Sequence, residues 1–543
     1  MSVWPIVTKR IGWEQGRLPV PAWRYWSWPT LILSAAGLAL GLFMLLPPVY
    51  LLIRTLGSGS AALGILTKAT TVAALGRTVW LALAVTTASI LLAVPLAWLT
   101  TCTNLPGRRV WAVVVALPLV VPSYVGAYLY GSMFGPRGML QQFLEPFGVE
   151  RLPSIYGFTG AFLTLTLLSY PFIYLTVRAS LRRMDPSLGE AARSLGLSPT
   201  AVFWRVTLPQ LRPSIIAGSL LVALYVLRDF GAVALMRYNT FTYIIYLQYQ
   251  SFSDRSLAAA LALVLVVLTA IIVTLEVRAR GRAQYARTSI GTARANELVT
   301  LGRWRWPALF FCSSVVTAAL ILPAMGLLYW LNRGWQQGQG IDLALLPAWN
   351  SVTVALLASL VAMVAALPVA ILSVRKSNRW TRFLERLTYV GFALPGLVVA
   401  LAFIFFSVRY ARGIYQSLPL LIAAYVVLFV PQAVGAARTS LLQIPKNLEE
   451  AGRSLGQRPT AVFRRVTLPL LRPGVLAGIG LVFLTCMKEL PATLLLSPLG
   501  FTTLATAVWS NLTEAIFAQA AFPALVIILL SSVPLAVLTL RDK

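Results

Sequence analysis

Two pairs of ionisable residues stand where an apolar chain should carry none. Arg228-Asp229 and Lys488-Glu489 fall inside long hydrophobic runs, 260 positions apart, in the matched fragments RDFGA (228–232) and KELPA (488–492). An ionisable group inside a membrane span is costly, turns toward the bundle interior and commonly marks a pathway. The competing reading is a set of ion pairs that hold two bundles in register. Adjacent residues on a helix do not face each other, so Arg228 and Asp229 must find separate partners. Carboxylate and phenolate oxygens suit a hard cation. Asp229 and Glu489 offer the first, and Tyr225, one helical turn before Asp229, offers the second. Tyr238, Tyr243, Tyr246 and Tyr249 crowd the loop that follows, where tyrosines more often form an aromatic belt. Any metal site stays unassigned, and no catalytic cluster can be assembled.

A second duplicated constellation is polar. EAARSLGLSPTAVFWRVTLPQLRP (190–213) returns as EAGRSLGQRPTAVFRRVTLPLLRP (450–473), and 22 of the 31 positions from Leu188 to Gly218 match their counterparts from Leu448 to Gly478. Asp185-Pro186 reads as a helix start, with Asp as N-cap and Pro at the first helical position. Leu188, Ala191, Ala192 and Leu195 form an apolar stripe, and Gly196 fits a left-handed C-terminal cap. Ser198-Pro199 restarts a helix, and Pro209 is expected to end it. A solvated basic loop explains the arginines but not the stripe or the duplication. A DNA-reading helix-turn-helix has this outline, but would lie twice against a bilayer. A docking surface for a cytoplasmic partner explains both features, and two copies imply two identical partner subunits or one symmetric dimer. Gly452 and Arg458, standing where the first copy has Ala192 and Ser198, make the second hairpin the weaker helix former, the glycine by about 1 kcal/mol.

The elements that carry these residues are membrane helices. The chain has 543 residues, 58% hydrophobic and 11% charged, against roughly a quarter charged in soluble domains. Twelve apolar runs of spanning length lie near 29–53, 78–100, 111–132, 156–177, 213–236, 257–277, 307–331, 352–374, 388–408, 418–437, 474–496 and 519–540. The expected architecture is all-α and polytopic: a cytoplasmic segment (1–28), a six-helix half (29–277) with its hairpin at 185–213, a basic linker (278–306), and a second six-helix half (307–540) with its hairpin at 445–473. Parallel repeats of this kind are related by an axis along the membrane normal. With the N-terminus in the cytoplasm, 33 of the 45 Lys and Arg fall on the cytoplasmic side. That positive-inside bias of a plasma-membrane protein explains the net charge of +29 without nucleic acid. Both termini are then cytoplasmic. The first 28 residues lack the pattern of a cleavable leader and suit an interfacial segment. Histidine is absent and Cys102, Cys312 and Cys486 are scattered, which argues against a zinc site or a disulfide framework. No G-x-x-x-x-G-K-S/T phosphate loop occurs, so the chain is no ATPase.

Glu190-Ala191-Ala192, Gly196, Val206 and Leu208-Pro209 match the EAA signature of ABC-importer permeases, and Glu450, Ala451, Gly456, Val466 and Leu468-Pro469 match it with Gly452 as the one departure. The segments 228–249 and 488–509 resemble those of the fused, twelve-span ferric-iron permeases. The resemblance implies a type I importer fold in the bacterial inner membrane, with each EAA segment a coupling helix seated on an ATPase. It also implies two copies of that ATPase, which bind ATP and Mg, and a substrate-binding protein docking on the outer loops (133–155, 237–256 and 499–518). No cofactor is expected in this chain. Permeases for thiamine, phosphonate, sulfate or polyamines share the EAA loop, so another small solute stays an alternative cargo. A gradient-driven secondary transporter is the alternative of a different class.

Overall fold

A computed structural model describes residues 27–541 except 186, 252–255, 281–297, 339–341 and 377. Most of the expected N-terminal segment and linker therefore lie outside the described residues. All twelve apolar runs are helical. Nine are single helices of spanning length: Leu31–Gly57, Ala69–Cys102, Phe158–Arg183, Phe203–Arg228, Leu257–Leu275, Gly302–Gln336, Ala344–Arg375, Leu418–Leu442 and Pro459–Met487. A tenth is a bent pair, Arg108–Val120 and Ser123–Phe147, meeting at 95°, and two shorter apolar helices are Gly396–Tyr410 and Phe517–Ser532.

The third run of each half is thus not one straight helix, and proline is the cause. Val121 and Leu394 are extended (ψ 122 and 127) because each precedes a proline, Pro122 or Pro395, whose ring excludes helical geometry one residue earlier. A new helix starts directly after, at Ser123 and at Gly396. Prolines elsewhere are absorbed differently. The three π-turns Phe203–Thr207, Thr317–Ile321 and Phe463–Thr467 each end two residues before a proline: Pro209, Pro323 and Pro469. A wider turn moves carbonyls away from a ring that would clash with the one four residues back.

The two halves are interlocked. In the first helix, Leu40 and Met44 belong to the core of the second half, with Val369, Leu394 and Phe403. The second half's own first helix returns the exchange. Its Ala308, Cys312, Val315 and Ala319 are buried with Leu81, Leu165 and Tyr170 of the first half. Each six-helix repeat in the sequence therefore donates its first span to the other half's bundle.

Candidate functional site

The two polar hairpins fold alike. In the first, Asp185 Oδ1 accepts from the Ser187 amide (3.0 Å), capping the helix Ser187–Ser194. Gly196 ends it at φ +86. The Leu197 amide donates to Ala192 O (3.1 Å) and the Gly196 amide to Arg193 O (2.9 Å), the paired bonds of a Schellman cap. The second copy repeats this with helix Lys446–Ser454, Gly456 at φ +75, and Gln457 N to Gly452 O at 3.2 Å. Ser198 Oγ accepts from the Ala201 amide (3.3 Å), whereas Arg458 in the second copy provides no side-chain cap. Gly452 lets Val462 of the following helix approach closely: a Cβ added there would lie 3.1 Å from a Val462 methyl.

The stripe read as apolar is only partly covered. Ala192 is buried, while Leu195 and Leu455 at the hairpin tips are 84% and 82% exposed. Glu450 is exposed and Glu190 half-buried. Leu188 and Leu448, at the other end of the same stripe, are exposed as well, so the apolar stripe of each hairpin is left largely uncovered by the chain itself. Pro209 and Pro469 do not end the hairpin helices, contrary to expectation. The Leu208 amide reaches back to Phe203 O, and Leu468 to Phe463 O. Through each π-turn, the hairpin runs without a break into the span that ends at the ionisable pair.

The attachments of the two hairpins differ. Arg375 Nη2 lies 2.8 Å from Glu449 Oε1, with the two side chains 8% and 13% exposed. Arg375 also donates to Ile444 O (3.2 Å), and Thr467 donates to Glu449 (2.9 Å). This ties the second hairpin to the end of helix Asp342–Arg375. The first half carries Gly189 where Glu449 stands. There the end of the linker lies alongside instead: the Val299 amide donates to Cys102 O (2.8 Å), the Asn104 amide to Val299 O (3.1 Å), and the Leu301 amide to Asn104 Oδ1 (3.0 Å).

Between the halves, a cavity of about 230 Å³ brings together Arg228, Asp229, Lys488, Glu489 and Tyr225, the five residues singled out as a path, with Ser123, Tyr124 and Gly396 added. The expected continuous spans break at this level. Helix Leu208–Arg228 stops, Asp229 is extended, and the chain resumes at Gly231–Leu235. Asp229 Oδ1 accepts from the Ala232 and Val233 amides (3.0 and 3.3 Å), and Ser123 hydrogen-bonds to both Asp229 and Tyr225. Glu489 accepts from the Ala492 amide (3.2 Å) at the start of Pro491–Leu496. Each carboxylate therefore caps the short helix beyond its own break, as an N-cap residue does. The cations reach across: Lys488 Nζ donates to Leu119 O of the first half (3.0 Å), and Arg228 interacts electrostatically with Glu489 of the second.

One exchange reconciles the unequal carboxylates. Ser123 and Gly396 both follow the proline that bends the third run. The hydroxyl of Ser123 meets the shorter Asp229, and Gly396 lies directly against the Glu489 carboxylate, where any Cβ would collide. Sequence reading missed Ser123, Tyr124 and Gly396 because they are uncharged; Pro122 and Pro395 were the available signal. The tyrosines that follow Asp229 pack as rings: Tyr238 on Phe158 (5.8 Å), Tyr246 on Phe230 (4.7 Å) and Tyr249 on Phe405 (6.5 Å). Burial raises the Tyr238 and Tyr246 phenols above their usual range, which keeps them protonated. Among the described residues, no three His, Cys, Asp or Glu side chains are grouped to hold a metal ion.

Residues 69–279 and 344–543 each match the family model described as "Binding-protein-dependent transport system inner membrane component". The chain belongs to this family. It is 35% identical over 515 residues to the Fe(3+)-transport system permease protein FbpB 2 of Haemophilus influenzae, covering 94% of this chain and 97% of that protein. It is 25% identical over 409 residues to the ferric transport system permease protein FbpB of Actinobacillus pleuropneumoniae, which is 70% of this chain and 58% of that one. The sulfate transport system permease protein CysT of Salmonella typhimurium matches over 173 residues at 31% identity, covering 31% of this chain and 61% of that protein. The chain is thus a multi-pass membrane permease with two tandem copies of one permease unit.

Proposed function

We propose that this permease imports ferric iron across a bacterial inner membrane, driven by two ATPase subunits on its cytoplasmic face. The likeness to a permease named for Fe(3+) transport, which runs almost end to end in both chains, carries the cargo reading. The sulfate relative matches only about a third of the chain, as a shared permease core would. The two hairpins, with Glu190, Ala191, Ala192, Gly196 and Pro209 in one and Glu450, Ala451, Gly456 and Pro469 in the other, are the ATPase sockets. The exposed Leu195 and Leu455 support that role, as does the unbroken helix from each hairpin to the ionisable pairs. A loaded binding protein delivers cargo to the loops around 133–155, 237–256 and 499–518. Movement of the hairpins shifts the population between states in which the central cavity opens to one side or the other.

Arg228, Asp229, Lys488, Glu489 and Tyr225 line the path, and the contacts of Lys488 with Leu119 and of Arg228 with Glu489 close it between the halves. With its carboxylates engaged as helix caps, the cavity passes cargo without binding it tightly, which favours release. The test is uptake of radiolabelled iron into proteoliposomes holding the permease, its neighbouring ATPase and binding protein, with thiamine, phosphonate and sulfate as competitors. Iron uptake unaffected by the competitors supports the reading. Uptake of a competitor in place of iron overturns the cargo and leaves the permease assignment intact.

A further inference from the structure

One short helix belongs to neither the hairpins nor the cavity. Helix Arg379–Thr388 follows the span that ends at Arg375, whose guanidinium holds Glu449 of the second hairpin, so it lies at the membrane face that carries the hairpins. A reciprocal cap starts it: the Thr381 amide donates to Asn378 Oδ1 (2.8 Å) and the Asn378 amide to Thr381 Oγ1 (3.0 Å). Its inner face is Thr381, Leu384 and Thr388, all buried. Leu384 and Leu387 lie over Gly37 and Gly41 of the first span, where an added Cβ would come within 3.3 and 2.9 Å of them. On one flank, Glu385 lies 3.1 Å from Arg438, in the helix Leu418–Leu442 that leads to the second hairpin.

The remaining surface of this helix turns away from the chain. At about 100° per residue, Arg379, Arg382 and Arg386 fall within a sector of about 60°, roughly opposite Leu384. All three are exposed. Among the described residues no ion pair joins them to a carboxylate, since Glu385 and Glu449 are committed to Arg438 and Arg375. Arg382 spends only its Nε–H, on Asn378 O (3.3 Å). Beside this row, about 40° around the helix from Arg379, Phe383 stacks on Trp380 at 5.7 Å. Both rings are nearly half exposed. The first half has no such row: its helix Arg108–Val114 carries two arginines in the first turn and then five apolar residues.

We propose that helix Arg379–Thr388 binds anionic phospholipid in the leaflet on the hairpin side. Arg379, Arg382 and Arg386 take the phosphates, for which a guanidinium offers paired donors. Trp380 and Phe383 lie at the boundary between headgroups and acyl chains, the depth that exposed aromatic rings of an in-plane helix occupy. Each arginine near an anionic surface adds its own attraction, so the row selects acidic over zwitterionic lipid. Through Glu385 and Arg438 the bound leaflet steadies the helix that leads to the second hairpin, a tether the first hairpin lacks. This binding is independent of the cargo.

The test uses the full chain in phosphatidylcholine nanodiscs that contain a minor fraction of headgroup-photoactivatable lipid, either phosphatidylglycerol or phosphatidylcholine. Adducts on residues 379–389 should favour phosphatidylglycerol by about tenfold or more, and Arg379→Gln with Arg382→Gln and Arg386→Gln should bring the two lipids to parity. Parity in the wild-type chain, or an excess that survives in the triple variant, would overturn the proposal. A second measurement needs no variant: raising the salt should shrink the wild-type excess several-fold by screening, and an excess indifferent to salt would count against the phosphate contacts. Adding the ATPase subunits should leave the excess in place. Its disappearance would give the arginine row to the ATPase and refute the lipid site.

Discussion

Removing the carboxylate of Glu449 tests how the second hairpin is held. Its partner Arg375 is 2.8 Å away and only 8% exposed, so Glu449→Ala leaves a nearly buried guanidinium with one remaining neutral acceptor, Ile444 O. Stranding a buried charge in this way costs about 3–5 kcal/mol. The hydrogen bond from Thr467 goes as well, at about 1 kcal/mol. The sum exceeds what a nine-residue helix (Lys446–Ser454) gains by itself in water, since isolated helices this short are marginal. The loss should therefore appear locally. Hydrogen exchange of amides 446–456 should accelerate by at least about a hundredfold, the factor for about 3 kcal/mol, with 187–194 unchanged as internal reference. Replacing both partners by apolar residues, Arg375→Met with Glu449→Leu, should recover most of the protection, because the cost lies in the stranded charge and not in the absent pair. Equal exchange in Glu449→Ala and wild type would refute the reasoning, as would a double variant no better than the single one.

The exchange between Ser123–Asp229 and Gly396–Glu489 makes a second prediction. Gly396→Ser should sharply reduce uptake, since the added side chain collides with Glu489, and Gly396→Ser with Glu489→Asp, copying the first half, should restore it. A double variant as inactive as the single one would remove the argument from space. At Asp229, the carboxylate accepts two backbone amides. Asp229→Asn keeps an acceptor and should retain most activity, whereas Asp229→Ala should destabilise the break by about 1–2 kcal/mol and lower transport. Loss of transport to the same degree in both variants would point to the charge itself. Lys488→Met removes the bond to Leu119 O and should raise crosslinking or solvent access at Leu119 without unfolding either half. Unaltered access would deny that this contact closes the path.

Much of this was legible in the sequence, and the failures share a cause. The duplication, the twelve apolar runs and both hairpins follow from local pattern: caps at Asp185 and Ser198, glycine at 196 and 456, periodic leucines. Convergence of Arg228, Asp229, Lys488 and Glu489 was also foreseeable, because an ionisable group in a span must turn inward. The errors concern proline. Pro209 looks like a stop, yet a π-turn carries the helix past it; Pro122 and Pro395 lie inside unbroken apolar runs, yet each interrupts its helix. Local sequence does not say which outcome applies, because the choice depends on whether neighbouring helices accept a widened turn. Interlocking of the first spans, the Arg375–Glu449 pair and the fit of Gly396 to Glu489 join residues distant in the chain. No periodicity encodes them.

The most direct test of the coupling role is iron uptake and ATPase recruitment in Glu190→Ala, Glu450→Ala and the double variant, each reconstituted with both partner proteins. Loss of ATP-driven uptake in the double variant is expected, with the permease still inserted and its cavity residues still accessible, and with the two single variants unequal. Unchanged uptake in the double variant would contradict the assignment of these hairpins as the sockets of the motor.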